Sequence, residues 1–498
     1  MPIDYGVTAR LAYLQWLDSE ETAEQEWIRV LRDYHAGKHP VYLTDRQKEF
    51  IGLEPRHSDH LFSHNLCSLI VATVAERMSV TGFTAGSVED ADADASPLAL
   101  AASEWWEANR MDARQDDLYE MSLRDASAYL IVSWDADNEQ PQWAMNQAYD
   151  GTQGVMVHTD PETDEVVFAS KRWQMDWRTG GENAGKTRLT LYFPDRVERY
   201  IQRDAKDQPD NDVDSEIMRL NWRTWRDVPD DPWPIWWTDT GDERGEPLGM
   251  AVVPFDNPGG SEIDDIVSLQ DLLNKSDLDL AAAADHSGFR ITWAAMSSMN
   301  INATGEQDEI RLAPGKLLEL PDGASLGSLE PADLSRMIAT CHYWIESIAG
   351  QSRTPHYVLI PPGAEQPSGE ALREQEIGLK SKCERKQRVW GNAWEDTLYL
   401  SARLANAFGN AGLDLEERLQ AQWASVQSST DMDKAQVASA KQAAGVAAEY
   451  TWAEDLGLTA VEIERIKALK AEAQQQQIAT FGAAAAQAAR MRDQGMEV

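Results

Sequence analysis

RTPHYVLIPPGAEQPSGEALREQEIGLKSKCERKQRVWGNAW, residues 353–394, joins two unlike kinds of chain. The first part carries Pro355, Pro361, Pro362, Gly363 and Pro367. That density of proline excludes a helix interior or a central strand, so the spacing predicts a loop. In the second part Ser368 suits an N-cap, and Glu370 places a negative charge in the first turn, where the helix dipole favours it. No proline follows as far as Phe408, and Ile377, Leu379, Val389, Trp390, Trp394, Leu398 and Leu400 supply apolar positions at irregular spacing. A helix of that span would run roughly 60 Å. This is too long for the core of a small domain and suits a spine in a large assembly.

The chain around it has 498 residues, enough for two to four domains with a buried core. Its net charge of −39 is the opposite of what a free nucleic-acid binder carries, and fits either a plain acidic surface or one that lies near DNA without adhering. Cys67, Cys341 and Cys383 are far apart and form no CxxC pair, which points to a reduced setting. The first residues, MPIDYGVTARLAYLQWLD, lack the basic start and unbroken apolar core of a secretion signal. No apolar window reaches membrane length, so no membrane span is expected. Nineteen tryptophans are many, and tryptophan anchors interfaces as well as cores.

Helices are expected over residues 8–35, 65–78 and 98–127, with an acidic Ala/Asp-rich loop at 87–96. A strand is expected at 128–134. From 143 to 204 the period becomes two: Val155 and Val157, then Val166 and Phe168, flank the turn Asp160-Pro161-Glu162, which signals a hairpin. Residues 205–247 read as acidic loops rich in Pro and Trp, and Met250 to Phe255 as a buried strand. Ser261 is placed as the cap of a helix running to about 287. Short strands follow at 289–291, 310–312 and 317–320, then a helix from Asp333 to Gly350. After the central stretch come a strand at 423–426 and Ala/Gln/Glu-rich helices over 431–490.

Three motifs suggest chemistry. Residues 180–187, GGENAGKT, fit the phosphate-binding pattern GxxxxGK[ST], yet alternating residues flank them on both sides, which predicts strand–loop–strand rather than strand–loop–helix. Residues 323–327, GASLG, fit GxSxG, but Pro331 forbids the helix that must start behind a nucleophilic Ser325. His57, His60 and His64 lie close in sequence with no cysteine pair and no HExxH to complete a zinc site. No cofactor or metal follows from any of them. An acidic hydrolase, cleaving sugars between two carboxylates in a Trp-lined cleft, is the enzymatic alternative, but no carboxylate pair stands out among 84 acids. Lys380, Lys382, Arg385, Lys386 and Arg388 form a basic cluster on the long helix, read as a face paired with acidic neighbours.

The order of these parts resembles the portal proteins of tailed bacteriophages. The marks are Asn65 with residues 75–78 (AERM) and Gly82-Phe83; Trp106 with Ala108-Asn109 and Asp112; residues 191–195 (LYFPD); Pro247-Leu248-Gly249 running to Val253-Pro254-Phe255 and Asn257; and Ser261-Glu262-Ile263 with Leu269-Gln270-Asp271 and Leu273-Asn274-Lys275. The opening stretch adds Arg353-Thr354-Pro355, Tyr357, residues 367–372 (PSGEAL), Glu376, Leu379 and Trp394-Glu395.

The resemblance implies an α+β, mainly helical fold: a wing (residues 1–260) with N-terminal helices and β-hairpins, two stem helices (261–288 and 333–353), a small β-containing clip (289–332), a tunnel loop (354–368), a long spine helix and strand (369–430) and a helical crown (431–498). It implies a homo-oligomeric ring, usually a dodecamer, at one capsid vertex, with double-stranded DNA passing through the channel. Terminase and a head–tail adaptor would dock on the clip, through Arg311, Lys316, Glu319 and Asp322. Major capsid and scaffold proteins would surround the ring. Pro355, His356, Tyr357, Pro361, Pro362, Gly363, Glu365 and Gln366 would face DNA, and Lys275, Arg290 and Arg336 would meet its phosphates. No catalytic residue and no cofactor are implied.

Overall fold

The structure, a computed structural model, describes residues 6–20, 22–40, 64–85, 96–163, 165–179, 183–204, 217–227, 232–288, 292–295, 325–328, 333–360, 369–426, 431–443, 451 and 466–467. In chain order the first elements are α1 (Val7–Glu20), α2 (Thr22–His35), α3 (Leu66–Ala75), β1 (Val80–Ala85), α4 (Pro97–Ala108) and α5 (Met111–Asp125). Eight strands follow: β2 (Ser127–Asp135), β3 (Gln140–Gln147), β4 (Gly154–Thr159), β5 (Val166–Gln174), β6 (Thr187–Tyr192), β7 (Arg196–Gln202), β8 (Trp222–Thr224) and β9 (Ile235–Trp236). Then come β10 (Val252–Asp256), α6 (Val267–Gly288), β11 (Thr292–Ala295), β12 (Ser325–Ser328), α7 (Leu334–Ser352), α8 (His356–Leu359), α9 (Gly369–Phe408), β13 (Leu419–Trp423) and α10 (Asp431–Ala443). The class is α+β, as expected.

The chain divides into two compact units, Met1–Glu76 with Phe83–Ala421, and Arg77–Gly82 with Gln422–Val498. In the second, Thr81 Oγ1 donates to the Gln422 carbonyl at 3.2 Å, and Ala424 N to the Ser79 carbonyl at 2.8 Å.

The first unit holds two larger antiparallel sheets. One has the order β4-β5-β6-β7-β8, with β9 also on β7; the other is β10-β2-β3. The expected hairpin is β4–β5, with Val157 opposite Ala169. Phe168, Leu189, Leu191 and Tyr200 face one way and meet Leu11, Leu14 and Leu17 of α1. Val155 and Ala169, offset by one residue, face the other way and join Tyr129, Ile131 and Val252 in a second core. This is the two-residue period of the sequence put to use on both faces.

The deepest aromatic core forms around α9. Trp390 stacks on Tyr119 with ring centres 4.7 Å apart, and Trp394 lies edge-on to Trp106 and Phe255, each at 4.8 Å. The indole N–H groups are satisfied: Trp394 donates to Tyr119 Oη at 2.8 Å, Trp390 to the Asp256 carbonyl at 3.0 Å, and Trp143 to Ser401 Oγ at 3.0 Å. A buried indole needs such partners, because an unpaired donor in an apolar core is costly. The many tryptophans thus serve, in part, to hold a long helix against two helices and a sheet.

Several expectations are corrected. The helix expected over 98–127 is two helices, α4 and α5. Asn109 Nδ2 bonds back to the Trp105 carbonyl and across to the Pro141 carbonyl, and Arg110 adopts a left-handed backbone (φ 55°). The helix expected over 8–35 comprises α1 and α2. Ser261 is not a helix cap: its Oγ accepts from Ile263 N at 3.3 Å, a 3-10 turn (Asp264–Ile266) with no side-chain cap follows, and α6 starts only at Val267. The loops of 205–247 contain β8 and β9, which extend the larger sheet. The strands expected at 289–291, 310–312 and 317–320 lie outside the described residues, while β11 (292–295) pairs antiparallel with β12 (325–328). The last strand is Leu419–Trp423 rather than 423–426. On α9, Ile377 and Val389 are solvent-exposed and do not belong to its buried face.

Candidate functional site

Residues 353–394 follow the helix pair α6 and α7 and run into the 40-residue α9. α6 and α7 run antiparallel: Ser276 Oγ accepts from Trp344 Nε1 at 3.1 Å, while one residue on, Asp277 meets Cys341. Asp333 caps α7, accepting from Ser335 N at 3.2 Å. The helix ends where Arg353 turns left-handed (φ 53°), allowing Thr354 N to bond to the Ala349 carbonyl at 3.1 Å. That geometry is a helix C-terminus made without glycine.

The following segment is anchored at its root. Ser352 Oγ bonds to Thr354 Oγ1 at 3.0 Å, and both residues are buried. Pro355 is buried too and precedes α8, a single helical turn closed by Ile360 N on the His356 carbonyl at 3.0 Å. The expected loop therefore begins with a turn of helix; proline fits because it stands before that helix and gives up no bond. His356 is exposed and Leu359 buried. Tyr357, half-buried, donates to Glu376 Oε1 of α9 at 2.5 Å. Pro361, Pro362, Gly363, Glu365 and Gln366 lie outside the described residues.

A buried charge cluster ties this root to α9. Glu262 accepts from Lys382 Nζ at 2.5 Å and from Lys386 Nζ at 2.6 Å. Lys386 Nζ also bonds to Asn257 Oδ1, and Lys382 Nζ to the Ser352 carbonyl at 2.7 Å. Lys382 and Lys386 are one helical turn apart, so one face of α9 presents both to a single carboxylate. Burial opposes ionisation of Glu262, but the two ammoniums outweigh it and hold the carboxyl below the usual range. Burial lowers the Lys386 pKa, with Glu262 opposing it. The cluster joins the chain before α6, the end of α7 and α9. The basic cluster on the long helix is thus, at Lys382 and Lys386, a paired face, and its acid belongs to the same chain.

Of the expected phosphate contacts, Lys275 is exposed on α6. Arg336 is highly exposed at the start of α7 and pairs with Asp333 at 3.1 Å. Arg290 lies outside the described residues, as do Arg311, Lys316, Glu319 and Asp322.

The nucleotide-like motif stands where the alternating flanks placed it, between β5 and β6. Gly185 N bonds to the Met175 carbonyl and Met175 N to the Lys186 carbonyl, at 3.0 and 2.9 Å, so the described part of the motif closes a hairpin. Lys186 pairs with Asp204 at 2.7 Å. A phosphate-binding loop would have to open a helix, and this one opens β6. Ser325 lies on β12 rather than at a strand-to-helix turn. His57 and His60 lie outside the described residues; His64 bonds to Asp277 at 3.3 Å, which raises its pKa against the opposing effect of burial. Among the described residues no cluster of His, Cys, Asp and Glu could hold a metal ion, and no helix is long and apolar enough to cross a membrane.

Glu262 and Glu376 were not singled out as site residues. Their partners stand in plain sight in the sequence, but local spacing cannot pair Glu262 with residues more than a hundred positions away.

The profile of the family described as phage portal protein, SPP1 Gp6-like, matches residues 14–477. The portal protein of Mycobacterium phage L5 is 22% identical over 421 residues, covering 80% of this chain and 77% of that protein. The portal protein of Mycobacterium phage D29 is 22% identical over 420 residues, covering 80% and 78%. A family match over nearly the whole chain agrees with the resemblance carried by the order of motifs in the sequence: the chain belongs to the phage portal protein family, SPP1 Gp6-like.

Proposed function

We propose that this chain is the subunit of a ring, twelve copies around a central hole, at one vertex of a phage capsid. Double-stranded DNA passes through the hole during packaging and ejection. In this reading α6 and α7 are the stem helices, residues 289–332 the clip that meets terminase and the head–tail adaptor, residues 354–368 the tunnel loop, residues 1–260 the wing and residues 431–498 the crown. Major capsid and scaffold proteins contact the ring as it assembles in the host bacterial cytoplasm, and it remains in the virion. The chain performs no catalysis; terminase supplies the work of moving DNA.

The observation that carries this reading is the antiparallel pair α6–α7. Its apolar residues Leu272, Ile338 and Tyr343 are 41, 45 and 58% exposed in the single chain. Neighbouring stems in a ring would cover them. The net charge supports it too: a wall of acidic chains repels phosphate and lets DNA slide.

Deletion of residues 361–366 tests the loop assignment while leaving the Tyr357–Glu376 anchor in place. Rings should still form, and particles should package or retain less DNA. Normal packaging and retention with the deletion would remove the loop from the conduit.

A further inference from the structure

The larger sheet has a second charged feature, away from the spine. Its face opposite α1 carries Lys171 and Trp173 on β5, Arg188 on β6 and Arg199 on β7. The register sets Lys171 opposite Thr190 and Thr190 opposite Arg199, with Trp173 opposite Arg188. The Arg188 guanidinium lies over two indoles, Trp173 at 5.0 Å and Trp225 at 4.9 Å, and Lys171 Nζ lies 5.3 Å from the Trp173 ring centre. Asp227 serves both arginines, meeting Arg188 at 3.5 Å and Arg199 at hydrogen-bond distance. Among the described residues no carboxylate pairs with Lys171, and Arg188 Nε is buried without a partner. Burial pushes the pKa of Lys171 and of Arg188 down, as expected for cations short of counter-charge. Among the described residues, two of these three cations thus share one acid and the third has none, in a chain whose net charge is −39.

Such a strip fits an acidic segment. A long polyanion such as DNA would be repelled by the rest of the chain. The sequence contains a short complement: residues 87–96, SVEDADADAS, hold Glu89, Asp90, Asp92 and Asp94 and no cation. In a ring each strip has neighbouring copies beside it at high effective concentration. We propose that the strip formed by Lys171, Arg188 and Arg199, with Trp173 and Trp225, receives residues 87–95 of a second copy of this chain. The proposal rests on the ring reading above and names one contact that would hold it together.

The test uses the full-length chain. Isotopically light and heavy protein, mixed as monomers and allowed to assemble, is treated with a carbodiimide that joins amines to carboxylates without a spacer. Light–heavy cross-links between Lys171 and Glu89, Asp90, Asp92 or Asp94 are expected. Cross-links confined to one isotope, or none at these residues, overturn the proposal. In parallel, Arg199→Glu should weaken assembly about tenfold or more at low salt, and adding Asp90→Arg and Asp92→Arg should restore it. If the wild type stays monomeric, the ring reading fails and takes this contact with it. If the wild type forms rings and Arg199→Glu forms them equally well, the contact alone is refuted. The cross-links need only wild-type protein, so a variant that fails to fold does not block the test.

Discussion

Replacing Glu262 with glutamine removes one charge and keeps the shape of the side chain. In the folded protein Glu262 is about nine-tenths buried, with the ammoniums of Lys382 and Lys386 at 2.5 and 2.6 Å. Without the carboxylate, two positive charges share a buried space with a neutral amide. Breaking one side of a buried pair costs about 3–5 kcal/mol, far more than an exposed pair would. The loss is local, because the cluster joins only the start of the α6 region, the end of α7 and one face of α9. Global unfolding of so long a chain is a poor gauge, since it need not be two-state. Amide hydrogen exchange reads the site directly. Peptides covering residues 256–266, 348–354 and 378–390 should exchange faster by about two to three and a half powers of ten, while β4–β6 is unchanged. The Glu262 pKa is held below its ordinary value, so its stabilisation is present above the unfolded glutamate range and lost as pH falls through the folded value. Wild type at low pH should therefore reproduce the variant's pattern. A change of less than about threefold in the three peptides would refute the claim that this cluster anchors the spine.

Trp394→Ala should destabilise its surroundings by about 3–5 kcal/mol, because it removes a fully buried ring and leaves Tyr119 without its indole donor; faster amide hydrogen exchange in peptides covering residues 115–123 and 390–398 would check it. His158 is buried beside Arg172, and burial first and that charge second lower its pKa to about 3. The unfolded chain binds this proton below about 6.5, so the contribution of His158 to stability is lost progressively as pH falls from there toward 3, and its imidazole should still be neutral by NMR at about pH 5. Lys186→Ala should leave the chain without nucleotide affinity, as in the wild type, and cost its pair with the half-exposed Asp204 and its hydrogen bond to Asn183 Oδ1; calorimetry with ATP checks this, and clear binding by the wild type would contradict the hairpin reading.

The long helix was legible because nothing in residues 369–408 forbids one, and its end near Phe408 agrees with the structure. The hairpin of β4 and β5 was legible because its two-residue period flanks a turn with proline. The break between α4 and α5 was not. It falls at Asn109-Arg110, with neither proline nor glycine, and what ends the helix is partly tertiary: Asn109 reaches the Pro141 carbonyl and Trp143 N of β3. A left-handed arginine costs about 1–2 kcal/mol, which local propensity would vote against and those distant bonds offset. The same holds on α9. Ile377 and Leu379 look alike in sequence, yet one is exposed and the other buried, a difference that local spacing does not encode. The root of the Pro-rich segment was half legible. Its prolines announced a departure from helix, but the bond from Tyr357 to Glu376 crosses a gap that local rules do not bridge.

Images of the purified chain, with the subunit count read from averaged end-on views, test the central claim most directly. The account predicts closed rings of about a dozen copies with a central opening wide enough for duplex DNA. Particles that stay monomeric or dimeric across protein concentrations and salt, with no ring at any condition, would contradict it.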